Sequence, residues 1–485
     1  MTISTNSEAR LVPDADRNPG EEASEPIEDD IGKLSAVEKR LRLKVDLRLC
    51  TIAGLLCSLN LLDSGIISSA SVTSMPQDLG LTGDRFSVAI FIFTVSSIVF
   101  QLPSTILVRV LGPRFFFATV TFCFGLVTFC TAFIQSWQQM IALRVLLGIA
   151  MSGIYPGLTY LISTWYTRRE QQLRFAFLQC GEVIVLATGS ILNFGLNQLD
   201  GHSQFRGWQW MFLIQGTITM FIGLLTYLWM VDFPENSRNS FYFLSLEEAS
   251  QAVLRINRDR RDAQAPEPFR LGDILIHFFD PKLYAFCVLF FLLNIVSTAL
   301  SYFLPIILQS GMGFSTNKAI LLSAPPYYYS VIPVLVSSFV GDKYRLRGPV
   351  IIFNAICLIL GFCMLGFPSQ VAVRYVGTYL ATGAYISNWA ALNAYQANNI
   401  TGQWKRATVA AAVSACNGLG GIAGSYIVRT SEAPKYMTAV WVSIGSHVMM
   451  IFVVMACTTL FWLANSKQKR FGKVIEGVVG FRHTY

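Results

Sequence analysis

Two carboxylates and one guanidinium stand where they have the least polar company. Asp63, Glu182 and Arg144 each fall inside a long run of apolar residues. If those runs cross a bilayer, a charge there costs at least about 2.5 kcal/mol by insertion scales, so each marks a site by default. Asp63 lies roughly 15 residues into the first run and Arg144 roughly five into the fourth. Helices that alternate direction therefore bring the two to similar depth. An Asp63–Arg144 ion pair is expected, either as a clamp between helices or as a gate that a solute breaks. Removing one partner of such a pair should be costly. Glu182 lies some eight residues into the fifth run, roughly 12 Å along a helix and close to the midplane. A carboxyl group there could carry a proton, or could simply bond to a neighbouring helix.

Neutral polar residues fall in helical register on the same runs. Asn294, Thr298 and Ser301 sit at i, i+4 and i+7, with Ser297 adjacent; Ser152, Tyr155 and Thr159 sit at i, i+3 and i+7. Tyr385, Asn388 and Trp389 form a third group. In lipid such side chains turn inward, where they line a path or bond helix to helix. The candidate solute-binding set is Arg144, Tyr155, Asn294, Thr298, Ser301 and Asn388. Glu182 is the first choice for moving a proton and Asp63 the second. Tyr327, Tyr328 and Tyr329, like the lone His447, read as packing. Pro156, Pro305 and Pro333 fall within runs, where kinks could serve gating.

The elements that must position these groups follow from composition. Of 485 residues, 53% are hydrophobic and only 14% charged, and the mean hydropathy is +0.49. So few charges cannot cover a water-soluble surface. Runs long enough to span appear near 48–68, 86–110, 114–134, 139–161, 174–196 and 208–230, and again near 283–306, 320–340, 349–367, 373–397, 407–428 and 438–463. They are too long and too apolar for barrel strands, which predicts an all-α membrane protein of 12 transmembrane helices in two six-helix halves.

The expected organisation is a tail over 1–46, largely disordered where it is acidic, then a first half over 47–231. A charged linker over 232–281, a second half over 282–464 and a basic tail over 465–485 follow. In the linker, Ser245 and Glu248 are spaced as a capping box, and 271–279 could lie on a membrane surface. Most of the 37 Lys and Arg fall on one side of the predicted membrane, so both termini are expected in the cytoplasm. Gly341–Gly348, with Asp342, Arg345 and Arg347, is a candidate gating turn between helices 8 and 9. The matching stretch between helices 2 and 3, Arg109–Arg114, lacks the Asp.

Other chemistries are excluded or unsupported. The ten cysteines are scattered in apolar runs without CxxC or Cys/His clusters, so no metal site is signalled. No Walker motif, catalytic triad or cofactor motif stands out, and the chain does not read as an enzyme. No basic face carries interleaved aromatics, so nucleic acid is not an expected partner. The Asn399-Ile-Thr401 sequon falls on the side where glycosylation does not occur.

Ordered pieces of the sequence resemble the major facilitator superfamily and, more narrowly, the fungal anion:cation symporters, whose members include allantoate, nicotinate, pantothenate and biotin permeases. The pieces are Asp63, Asp78–Gly83, Arg144–Gly148, Gly153–Gly157, Trp165-Tyr166 with Glu170, Gly207–Trp210 and Asp232–Glu235. Phe303–Pro305, Pro325–Tyr327, Asn398-Asn399 with Lys405-Arg406, Gly420-Gly421 and Ala433–Tyr436 continue the series, and the resemblance spans roughly 40–465. It implies alternating access around a central site between two related halves. Its departures are Ser64, Met151, Gln209 and Gln215, where the family usually has Arg, Glu, Arg and Glu.

The resemblance implies a secondary transporter for a small organic anion such as a vitamin carboxylate or a ureide, with protons as a candidate coupling ion. The expected setting is a monomer in the lipid bilayer of the plasma membrane. The four neutral departures keep a second use open, export of a fungal metabolite or drug. A third is a nutrient sensor that binds without transporting.

Overall fold

A computed structural model describes residues 40–166, 168–234, 243–245, 248–254, 278–344, 346–400, 403–472, 475 and 481–485. Arg345, the acidic stretch before residue 33 and the linker segment 271–277 lie outside the described residues.

Among the described residues twelve long helices follow one another. In the first half they are α1 (Thr51–Ala70, prolonged at its start by a π-turn over Asp46–Cys50), α2 (Arg85–Leu111), α3 (Pro113–Thr131), α4 (in two pieces, Trp137–Met151 and Ile154–Trp165), α5 (Arg168–Asn197) and α6 (Gly207–Trp229). In the second they are α7 (Pro281–Ile306), α8 (Ala324–Tyr344), α9 (Arg347–Gly366), α10 (Val371–Asn399), α11 (Gln403–Ser425) and α12 (Met437–Phe471). Nine described helices are long and apolar enough to cross a membrane, and a tenth is the bent α2, whose two arms meet at 47° before Pro103. Proline removes a donor and clashes one turn back, which explains the bend. α10 and α11 fall short because Asn388, Asn393, Asn399, Asn417 and the α11 glycines dilute their apolar content. Phe221, Leu224, Ile332, Val336, Trp441 and Phe452 remain exposed on the outside of the bundle, the surface a lipid would cover. The chain is a multi-pass membrane protein.

The same pairings recur in both halves. α3 packs on α6, α1 on α5 and α2 on α4; α9 packs on α12, α7 on α11 and α8 on α10. Between the halves, α5 meets α8, α2 meets α11 and α1 meets α7. The α3–α6 seam is close because glycines line it. A methyl group on Gly125 would stand 2.5 Å from the Met220 nitrogen, and one on Gly216 2.5 Å from the Phe129 nitrogen. One core gathers Leu56, Phe117, Phe124, Trp208 and Phe212 of the first half. The other gathers Phe286, Leu293, Phe362 and Tyr395 of the second, joined by Val183, Leu186 and Ala187 of α5.

We call the side on which α1 begins the tail face and the opposite side the far face. On the far face the halves are joined by hydrogen bonds. Gln309 Nε2 and Thr316 Oγ1 both donate to the Val72 carbonyl, at 3.2 and 3.1 Å. Asn197 Nδ2 donates to Asn317 Oδ1 at 2.7 Å, and the hydroxyls of Thr188 and Tyr328 lie 2.8 Å apart. Val72, Asn197, Gln309, Thr316 and Asn317 also line a polar cleft of about 640 Å³. Nearer mid-depth, Gln101 donates to Ser414 at 2.7 Å.

On the tail face the α2–α3 turn is closed by Gly112 at φ +83°, a conformation that favours glycine. Asp232, after α6, stands beside it: a methyl on Gly112 would lie 3.6 Å from Asp232 Oδ1. The carboxylate that Arg109–Arg114 lacks in sequence is thus supplied in space. Burial pushes the Asp232 carboxyl up, against the Phe233 N–H and the nearby Arg114. Ser245 and Glu248 make both bonds of a capping box, and Glu248 receives Lys44 at 2.5 Å.

Candidate functional site

The charged groups of the first half form two layers along α1. In the far layer, Arg144 Nη1 donates to Asp63 Oδ2 at 2.8 Å. The side chains are 4% and 1% exposed, so the pair is dry. α1 and α4 run in opposite directions, and each supplies one member at matching depth. Asp63 Oδ1 is buried without a hydrogen-bond partner among the described residues. A buried carboxylate oxygen left so is strained in free-energy terms. Tyr302 of α7 stands close enough to feel both charges, so the second half reaches the pair.

The second layer lies six residues back on α1, about 9 Å nearer the tail face at 1.5 Å per residue. There the Cys57 thiol stands within electrostatic reach of Glu182 of α5. Gln179, one turn earlier on α5, donates to Glu182 Oε2 at 3.2 Å. Glu182 is 7% exposed. Because α5 begins at Arg168 rather than near 174, Glu182 lies 14 residues along it, about 21 Å, in the middle of the helix. Tyr155 is within electrostatic reach of Glu182 and Cys57, yet 42% exposed. A tyrosine in that company reads as facing open space inside the bundle.

Tyr155 therefore joins Glu182 rather than Arg144. Ser152 does neither. α4 breaks at residues 152–153, and the Ser152 hydroxyl lies 2.6 Å from that of Ser104 on α2. The helical stripe Ser152–Tyr155–Thr159 is thus cut by the break, and Thr159 bonds back to Tyr155 O.

In the second half the polar stripe of α7 is largely taken up between helices. Asn294 donates to the Asn417 carbonyl on α11 at 2.7 Å. A methyl on Gly421 of α11 would stand 3.1 Å from Asn294 Nδ2, 3.4 Å from Thr298 Oγ1 and 3.5 Å from Thr94 of α2, so this seam meets the first half. Ser301 lies 3.5 Å from the Tyr385 hydroxyl, and the nearby Tyr327 hydroxyl donates to the Leu300 carbonyl at 3.4 Å. Asn388 is fully buried, its amide nitrogen facing Met450 of α12 at 3.9 Å. It sits in the second core and not beside Arg144. Of the candidate solute-binding set, the structure brings Asn294 and Thr298 together at Gly421 and leaves the others apart. Arg144 faces Asp63, Tyr155 faces Glu182, and Asn294, Thr298 and Ser301 occupy the α7–α11 and α7–α10 seams.

For the candidate gate, the Asp342 side chain and Arg345 lie outside the described residues. Arg347 is buried against Gly341, and its backbone N–H donates to the Tyr485 carbonyl at 2.5 Å. Two of the neutral departures are structural. Gln209 closes the α6 start through Arg206 N and Ala132 O. Gln215, fully buried, donates to Asn193, which reaches Ser69 at 3.0 Å.

Sequence reasoning missed Cys57, Gln179 and Tyr302, which acquire a role only through neighbours on other helices. Among the described residues no group of three His, Cys, Asp or Glu could hold a metal ion.

The family model described as Major Facilitator Superfamily matches residues 53–425. The chain is 30% identical over 425 residues to an uncharacterized transporter of Schizosaccharomyces pombe, covering 86% of this chain and 83% of that one. It is 27% identical over 436 residues to the high-affinity nicotinic acid transporter of Saccharomyces cerevisiae, covering 89% and 80%. Among solved structures it resembles the inward open conformation of the xylose transporter XylE from E. coli, with a TM-score of 0.65 at 15% identity over 83% of this chain and 95% of that one.

Proposed function

The chain belongs to the Major Facilitator Superfamily and is a membrane transporter, and from that premise we propose that it moves a small organic anion by proton-coupled alternating access. The observation that carries this reading is the dry Asp63–Arg144 pair with an unsatisfied carboxylate oxygen and a cross-half tyrosine beside it. A solute carboxylate can replace Asp63 at the guanidinium, because a planar fork of donors accepts either oxyanion. Breaking the pair leaves Asp63 buried and uncompensated, a state that favours taking up a proton. Glu182, at mid-depth in the second layer, then hands the proton on toward the tail face.

Tyr155, in the open space beside Glu182, completes the first-half surface that a solute meets. Ser301 and Tyr385 supply uncharged hydrogen-bond groups across from it. That a relative is a nicotinic acid transporter fits a monocarboxylate as cargo. The far face, latched by hydrogen bonds, is in this reading the extracellular side of a plasma-membrane protein with both termini inside. Asp342, Arg345 and Arg347 remain the proposed tail-face gate, and a monomer is the proposed working unit. Export is less well supported: of the four neutral positions that suggest it, Gln209 caps a helix and Gln215 sits in a dry contact.

The test is uptake of a panel of labelled monocarboxylates into vesicles carrying the protein, with and without an imposed pH gradient. Accumulation that follows the gradient supports the reading. Extrusion against it would select the exporter, and binding without flux the sensor.

A further inference from the structure

The polar cleft on the far face is walled by both halves. The stretch after α1 supplies Ser71, Thr73, Ser74 and Gln77. The turn between α7 and α8 supplies Gln309, Thr316 and Asn317. At about 640 Å³ the cleft has the size of a small-molecule site. It begins past the end of α1, whereas Asp63 lies within that helix.

The bonds already made here decide what the cleft can still take. On the first-half wall, Ser71 Oγ donates to the Ser68 carbonyl at 2.7 Å, Thr73 Oγ1 to that of Ala70 at 2.6 Å and Ser74 Oγ to Asp78 Oδ2 at 2.9 Å. A hydroxyl has one proton and two lone pairs. With their protons committed, all three present lone pairs. On the second-half wall, Gln309 Nε2 donates to the Val72 carbonyl and to Thr316 Oγ1, at 3.2 and 2.9 Å. Both its amide protons are used, and Oε1 is left to accept. Asn317 accepts from Asn197 through Oδ1, which leaves its amino group to donate.

Such a lining suits a molecule with several donors and an acceptor. A carboxylate only accepts and would meet lone pairs. No Lys, Arg or His stands among the described residues that line the cleft. An ammonium brings donors, but the lining offers its charge one match, Asp200. That carboxylate already receives the first N–H of α6, from Gly207, at 2.8 Å. An uncharged polyol brings donors and acceptors with no charge to match.

We propose that this cleft binds an uncharged polyhydroxylated molecule, and that the occupant is a brake on the far face. A molecule touching both walls loses contacts when the halves rock apart. It therefore binds the shut state better and holds it shut. The brake rests on the rocking of the halves proposed above and not on which solute is carried.

The test uses sorbitol as the probe and the full chain in lipid nanodiscs. Saturation-transfer NMR should show saturable binding of sorbitol and none of acetate. Ser71→Ala with Gln77→Leu strips two lining groups and leaves the bonds between the halves in place. Sorbitol binding should fall about tenfold or more in that double variant. Hydrogen exchange of the amides in 71–77 and 315–317 should slow with sorbitol in the parent and not in the double variant. That contrast cancels the general stabilisation that polyols give by exclusion. Sorbitol on the far-face side should likewise lower uptake in the parent alone. If the parent takes up no monocarboxylate, the proposed cargo fails while binding and exchange still decide the brake. No saturable binding, equal binding of acetate, unchanged binding in the double variant, or faster exchange with sorbitol would each overturn it.

Discussion

α4 and α10 are the fourth helices of their halves, and each carries one buried arginine near its far-face end. The two arginines are used in opposite ways. Arg144 meets a single carboxylate, Asp63, at 2.8 Å. Among the described residues Arg374 donates its hydrogen bonds to backbone alone: Nε to the Leu365 carbonyl at 2.8 Å, Nη2 to that of Pro434 at 2.9 Å, and Nη1 to that of Gly311. The Arg374 arrangement ties the far-face ends of α9, the turn after α7 and the loop before α12. Carbonyls fixed in a backbone cannot leave, so this arginine is a rivet. A carboxylate on a side chain can turn away or take a proton, so Arg144 can let go. One half therefore holds a breakable charge and its counterpart holds the scaffold.

That contrast can be broken most sharply at the ion pair. Arg144→Gln alone should cost about 3–5 kcal/mol of stability, because Asp63 stays buried and uncompensated. Asp63→Asn in the same chain should recover most of it. Transport should stay at least about a hundredfold down in the double variant, since a neutral pair offers a solute anion no guanidinium. Thermal unfolding and vesicle uptake measured on the same preparations decide this. If the double variant transports normally, Arg144 is a rivet like its counterpart.

Arg374→Ala should cost about 3 kcal/mol by stranding three carbonyls. Flux per folded molecule should be unchanged in Arg374→Ala, seen by normalising uptake to correctly folded protein. Loss of flux with full folding would erase the distinction from the other side.

A smaller effect is expected at Glu182→Gln, which keeps size and hydrogen bonds but cannot carry a proton. One unit of pH gradient stores about 1.4 kcal/mol per proton, a factor of about ten. The variant should lose about that factor in gradient-driven accumulation while counterflow exchange of labelled solute continues. Loss of exchange as well would assign Glu182 to the structure of α5.

The least effect belongs to a staple outside the membrane. Burial pushes the Asp280 carboxyl up, but the Lys405 bond and the Lys282 N–H outweigh it and hold the group below the usual carboxylate range. The stabilisation is present above the ordinary carboxyl range and is lost as pH falls through the depressed one. Asp280→Asn should cost under about 1 kcal/mol near neutrality. The gap in melting temperature from the parent should narrow as pH drops below about 4.

The ion pair was legible because charge in an apolar run is expensive, because the two residues lie at equal depth, and because the family resemblance implies that their two helices face one cavity. Helix positions were legible for the first of these reasons. What the sequence hid depends on closure in space. Asp232 completes a turn more than a hundred positions away. The break at 152–153 takes Ser152 out of register with Tyr155, although the letters repeat as one stripe. Asn388 has the composition of a cavity residue and the position of a core one, since it is the rotation of α10 against α12 that decides. Asn399 reads as a sequon and serves instead as an anchor for a segment 85 residues on.

Among the described residues, the hydrogen bonds that join the halves at the far face run between uncharged partners: a carbonyl, amides and hydroxyls. Brine and acid have little purchase on such a lock, since neither screening nor titration reaches it at ordinary pH. What loosens it is competition, from water or from a cargo rich in donors and acceptors. With the far face outermost, as proposed above, a cell in a sour or salty medium would keep this door shut by the same bonds as one in fresh water.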